Sequence, residues 1–151
     1  MTAHDTAPAV VDLTDFLPQD TAVIEVLAPG GRQIGWFVTL AGPAHPRTIA
    51  ASDASARKAL HKSKQIEQAQ VNGRKYVAEE RSPEETRREN VQAVVARIVG
   101  WTPIKVGPEV FEFSDAKALD LLVRPDMGWA YAQIAEAQAD DTRFTKASAK
   151  A

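Results

Sequence analysis

The sequence predicts an α+β fold, an N-terminal β-hairpin packed on a small bundle of three to four helices. Three observations predict it. Two β-prone runs, residues 21–27 and 33–40, flank Pro29-Gly30-Gly31-Arg32, where proline pre-sets one turn angle and the glycines tolerate positive φ. Ser82-Pro83-Glu84-Glu85 has the marks of a helix start: a capping hydroxyl, proline at the first helical position, and acids where the helix dipole favours them. Beyond it Val91, Val94, Val95 and Ile98 recur at i, i+3, i+4 and i+7, the spacing of a buried helical stripe.

The elements follow in chain order. Residues 1–11 have few large apolar groups and are expected to form a disordered N-terminal tail. The single domain is expected over 12–144, with a flexible tail at 145–151. Asp12 to Pro18 reads as a short docking segment, with Leu13, Phe16 and Leu17 pinned onto the core. In the second strand Ile34, Trp36, Val38 and Leu40 share one face and are expected to point inward, because strand side chains alternate. Pro43 and Pro46 end that strand, since neither can donate to a β-ladder. A helix from Thr48 to about Gln70 follows, without glycine or proline. Its apolar stripe of Ile49, Ala56, Ala59, Leu60 and Ile66 is thin, so one side should face water. Asn72-Gly73 ends it, and 73–81 reads as a mobile connection, open between a loop and a short strand.

In the Val91 helix, Gly100 is the expected C-cap, with Trp101 folded over the helix end. Residues 102–113 are expected to form a turn region with one alternating apolar stretch, Val110, Phe111 and Phe113. Ser114 is placed to cap a short helix bearing Leu119, Leu122 and Val123, and Asp126 a last helix bearing Trp129, Ala130, Ile134 and Ala137. Phe144 docks just beyond it.

With 151 residues, 44% apolar and 25% charged side chains, and a mean hydropathy of −0.27, the chain has the composition of one soluble globular domain. No apolar run approaches the ~20 residues that span a bilayer, and Met1 to Pro8 lack the features of a signal peptide. The absence of cysteine excludes disulfides and thiolate chemistry. Charge is arranged in blocks. Residues 1–31 hold five acids and no Lys or Arg; 47–105 hold twelve basic and seven acidic side chains; 109–141 carry eight acids against Lys117 and Arg124. Unlike patches of this kind let copies of a protein, or a protein and its partner, attract one another.

Catalytic and metal signatures are absent from the pattern. His4, His45 and His61 have no second ligand at metal spacing. The acid pairs Glu79-Glu80, Glu84-Glu85 and Asp140-Asp141 are sequence neighbours, which point apart on a helix rather than into a shared cleft. Gly30-Gly31 belongs to a hairpin turn and not to a phosphate-cradling loop. The expectation is a non-enzymatic protein without catalytic, cofactor or metal residues. Its candidate partner-binding residues are Arg57, Lys58, Lys62 and Lys64 on the basic helix, with Trp36 and Trp129 as aromatic anchors. The basic helix lacks nearby aromatics for base stacking, and the chain has an isoelectric point near 5.9, so nucleic acid is a weaker expectation than protein.

The order of Trp36, Gly42-Pro43-Ala44-His45-Pro46, Asn90 through Val99-Gly100-Trp101, Phe113-Ser114, Trp129 and Phe144 resembles the tail assembly chaperones of long-tailed, siphovirus-like bacteriophages, over residues 12–145. In such proteins a small N-terminal β element precedes helices, and an Ile/Val-Val-Gly-Trp segment leads through a loop and a short helix to a final helix ending near a Phe. The resemblance implies a protein of the host cell cytoplasm that binds the tape measure protein, keeps its apolar helices soluble, and gives way as the tail tube protein polymerises; self-association is an expectation of the charge blocks alone. The resemblance implies no cofactor and no residue-level binding motif, and the basic region from Arg57 to Arg81 is not part of the family's pattern. The alternative is a structural virion component of the tail or head-tail connector; a small nucleic-acid-binding regulator acting through Arg57 to Lys64 is a third reading.

Overall fold

The structure, a computed structural model, describes residues 9–78 and 80–145. The expected tails therefore lie largely outside the described residues, as does Glu79.

Strands β1 (Thr21–Ala28) and β2 (Arg32–Ala41) form the expected antiparallel hairpin. Its turn works as the sequence implies: Gly30 and Gly31 adopt φ of 92° and 88°, and the Gly31 amide donates to the Ala28 carbonyl at 2.9 Å. Ile34 departs from expectation. Val26 pairs with Trp36 but Leu27 pairs with Gln33, so Ile34 and Gly35 bulge out of the ladder, with Gly35 at φ 78°. The bulge breaks the alternation, and Ile34 is 48% exposed while Trp36, Val38 and Leu40 are buried.

Helix α1 (Pro46–Val71) starts at His45, whose Nδ1 accepts from the Arg47 amide at 3.0 Å. Helix α2 (Pro83–Val95) begins at Ser82, whose Oγ accepts from the Glu85 amide at 3.2 Å. Replacing Ser82 with alanine leaves that first-turn amide without its cap and is expected to cost about 1 kcal/mol in denaturant unfolding; an unchanged midpoint would refute the capping assignment.

The Val91 stripe is not all helical. Helix α2 ends at Val95, and residues Ile98–Trp101 form a strand, β3, antiparallel to β2. Ile98 is buried as part of the sheet rather than as the fourth position of a helical stripe. Gly100 pairs with Thr39 in that ladder and is not a C-cap. The sheet order is β1-β2-β3, with β2 central. The expected turn region resolves into a second hairpin, β4 (Ile104–Val106) and β5 (Glu109–Phe111), turning at Gly107 with φ 58°.

Helix α3 (Asp115–Leu122) is capped by Ser114, whose Oγ accepts from the Lys117 amide at 3.1 Å. Asp126 does not cap the last helix. It lies in a 3-10 turn, Pro125–Met127, and pairs with Arg124 at 2.7 Å, while α4 (Gly128–Ala139) starts from Met127 without a side-chain cap.

One core joins the inner sheet face to α2, α3 and α4, running from Ile24 to Phe144. Trp36 is its largest member, edge-on to Trp101 at 5.4 Å and Trp129 at 6.3 Å. Trp101 does not cover a helix end; it carries β3 onto the second hairpin, donating Nε1–H to the Phe111 carbonyl at 3.1 Å. Gln138 is buried and donates to the Val94 carbonyl at 2.8 Å, linking α4 to the end of α2. Arg97 is held by the carbonyls of Ala41 and Gln138 at 3.1 and 3.2 Å, and burial lowers its pKa.

Leu13, Phe16 and Leu17 are not pinned to the core; they are 61%, 71% and 58% exposed. What fastens the segment is backbone: the Gln19 amide donates to the Phe144 carbonyl, and Asp20 offers its carbonyl to the Gly42 amide at 2.7 Å.

Hydrogen bonds from Arg124, Thr142 and Thr14 hold the carboxyls of Asp126, Asp140 and Asp12 below their ordinary value of 3.8. A carboxyl depressed in the folded state contributes stability that is present above its unfolded pKa and lost as pH falls through the folded one. The melting temperature is therefore expected to hold from about pH 7 to about pH 5 and to fall below about pH 4. A rise in that acid range would contradict these pairings.

Candidate functional site

Helix α1 buries none of its 26 residues, an unusual state for an element about 39 Å long at 1.5 Å per residue. Only its base is held firmly. Arg47 donates to the Val95 carbonyl at 3.2 Å and pairs with Asp115 at 2.9 Å, reaching the C-terminal end of α2, where a cation is favoured, and the first turn of α3. Thr48 donates its hydroxyl to the Gly42 carbonyl at 2.7 Å. Further along, Lys58 meets Glu89 of α2 at 3.5 Å, and Arg81 pairs with the same carboxylate.

Between these ties runs an open groove. Its first part, about 510 Å³, lies between α1 and α2 over Ala51, Ala54, Ala93 and Ala96. It continues past Lys58 and Glu89 into a larger part, about 820 Å³, bounded by α1 and the chain returning along it, with Lys62, Tyr76, Ala78 and Arg81. Small side chains form the floor and cations the rim: among the described lining residues, Lys58, Lys62 and Arg81 stand against one carboxylate, Glu89. Such a groove accepts large apolar side chains on its floor and acids at its edge.

The sequence-derived candidates separate here. Lys58 and Lys62 line the groove. Arg57 and Lys64 are exposed on the same helix but lie two turns apart on a face that does not line it. Trp36 is 1% exposed, so it leaves the partner-binding set: its ring is consumed by the core. Trp129 is half-buried, packed edge-on against Trp36, and donates Nε1–H to the Asp126 carbonyl at 3.0 Å. Tyr76 and Arg81, from the segment read as a connection, join the groove instead.

A smaller cleft of about 420 Å³ between α2 and the start of α4 is lined by Thr86, Arg87, Asn90 and Tyr131 among others. It presents no carboxylate or imidazole for proton transfer. Among the described residues no three His, Asp or Glu side chains gather in a metal-holding group, and no helix is long and apolar enough to cross a membrane. No family model matches the chain, and neither the curated proteins nor the solved structures contain a significant match.

Proposed function

We propose that this protein is a phage tail assembly chaperone, which binds the tape measure protein in the host cell cytoplasm, keeps it soluble and assists tail tube polymerisation. The reading rests on the ordered resemblance over residues 12–145, and the groove supplies a surface for it: a long helix with no buried residue stands beside α2 over a floor of alanines rimmed by Lys58, Lys62 and Arg81, in the region where this chain departs from the family's pattern. An amphipathic helix of the tape measure protein lays its apolar side chains on that floor and its acids against the rim. Because the groove is open and shallow, each copy binds weakly. Many copies along one long client then hold it by summed contacts, and each yields singly as tail tube protein subunits arrive.

The test is co-expression with the tape measure protein of the same phage, followed by pull-down and a solubility assay. Soluble, co-purifying tape measure protein is the expected result, with loss of binding in Lys62→Glu. Tape measure protein that stays insoluble and unbound overturns the reading. Detection of this chain in purified particles by mass spectrometry would then assign it to the virion as a tail or connector component.

A further inference from the structure

Lys58 and Glu89 line both parts of the groove, so their ion pair crosses it where the two parts meet, and a helix lying along the whole groove has to displace it. Arg81 closes on the same carboxylate from the returning chain. Apart from this crossing, α1 is tied at its base by Arg47 and Thr48. Beyond Lys58, among the described residues, no side chain of α1 makes a hydrogen bond or ion pair with another element. None of its residues is buried, so little apolar contact is lost when the helix leaves α2. A helix of 26 residues, rich in Ala, Lys and Gln, also keeps its own backbone bonds without that support. It can therefore tilt as a rod about its first turn.

We infer that Glu89 is a latch on the groove. With Lys58 and Arg81 on its carboxylate, α1 lies against α2 and the groove is crossed; when those pairs open, α1 tilts outward and the two parts become one channel. The side chains of Lys58, Arg81 and Glu89 are 68%, 44% and 38% exposed, and ion pairs in that setting are each worth only about a few-fold in an equilibrium. The latched and released positions therefore interconvert. Glu89 also occupies the two cations that an acidic side chain of a client would take, so client acids compete with it and binding releases the latch. That regulation rests on the groove being the client's site, whereas the latch is a property of the chain alone.

Leverage makes the motion measurable: Val71 lies about twice as far along α1 from the first turn as Lys58 does. The chain has no cysteine, so Gln68→Cys near the tip of α1 and Asp120→Cys on α3, both at exposed positions, take one spin label each, and double electron–electron resonance gives the distances between them. The wild type is expected to show a main population and a minor, displaced one. Glu89→Gln should enlarge the displaced population several-fold. Salt at about 1 M, where the screening length falls to about 3 Å, should do the same to the wild type and add little to Glu89→Gln. Arg88→Gln, one residue away on α2 and in neither ion pair, should leave the distances unchanged, and circular dichroism checks that every variant keeps its helix content. Distances that Glu89→Gln does not alter overturn the inference, and so does a wild type already as displaced as that variant. An equal displacement in Arg88→Gln overturns it too, by tracing the motion to the charge of α2 at large. The tape measure pull-down with the unlabelled wild type decides the groove reading separately, whichever way these distances fall.

Discussion

Gly42→Ala is expected to be the most damaging single-methyl substitution in this protein. Gly42 is buried where three segments cross: its amide donates to the Asp20 carbonyl at 2.7 Å, and its carbonyl accepts from the Thr48 hydroxyl at 2.7 Å and the His45 amide at 3.1 Å. A Cβ there would overlap the Gln19 carbonyl and stand 3.1 Å from that of Asp20 and 3.3 Å from Phe144 Cδ1. The first two obstacles are backbone, so relief requires moving the entry to β1, which is itself hydrogen-bonded to Phe144. Overpacking against backbone that cannot yield should cost about 3 kcal/mol or more, a large share of the ~5–15 kcal/mol that holds a domain together. Urea denaturation measures it directly. Gly128→Ala is the control: no atom stands within 4 Å of the new methyl, and φ is −59°, so restricting the unfolded chain should stabilise by about 0.5 kcal/mol. Equal stabilities for wild type and Gly42→Ala would refute the packing described at this crossing.

Trp36→Ala should be nearly as severe, by removing side-chain volume instead of adding it. The indole is 1% exposed and is the shared neighbour of Trp101 and Trp129. Truncating a buried aromatic of this size costs about 3–5 kcal/mol, and the two remaining tryptophans should become more solvated, with red-shifted emission. Trp36→Phe should lose far less. It keeps a ring in the site and removes the Nε1–H, which is buried without an acceptor, so no hydrogen bond is broken. A Trp36→Phe variant as unstable as Trp36→Ala would show that the indole is held by more than packing.

These residues also mark how far the sequence could be read. The hairpin turn was legible because its cause is local: Pro29, Gly30 and Gly31 restrict or free their own dihedrals whatever surrounds them. The starts of α2 and α3 were legible for the same reason, since Ser82 and Ser114 bond amides three residues away. Strand β3 was not. Ile98 falls at the next helical position after Val91, Val94 and Val95, with no glycine or proline before it, and nothing within the segment says that β2 offers a free edge. Ile34 and Leu13 depart in the opposite way: both are apolar yet exposed, because nothing in their own segments supplies a partner for them.

The candidate site divides along the same line. Its cations on α1 were visible as a basic run, since charge is a property of the residues themselves. The groove was invisible, because its walls come from α1, α2 and the returning chain near Tyr76 and Arg81, which are brought together only by folding. By itself, then, the sequence determined the α+β class, the first hairpin turn, the Ser82 and Ser114 caps, and the separation of acidic from basic blocks, all of which depend on interactions spanning a few residues. Tertiary structure alone decided that Ile98 pairs in a sheet, that Ile34 bulges out to the surface while Trp36 stays in the core, and that a helix without a buried residue borders a groove. These outcomes depend on which distant segments compete for the same apolar surface and the same backbone hydrogen bonds.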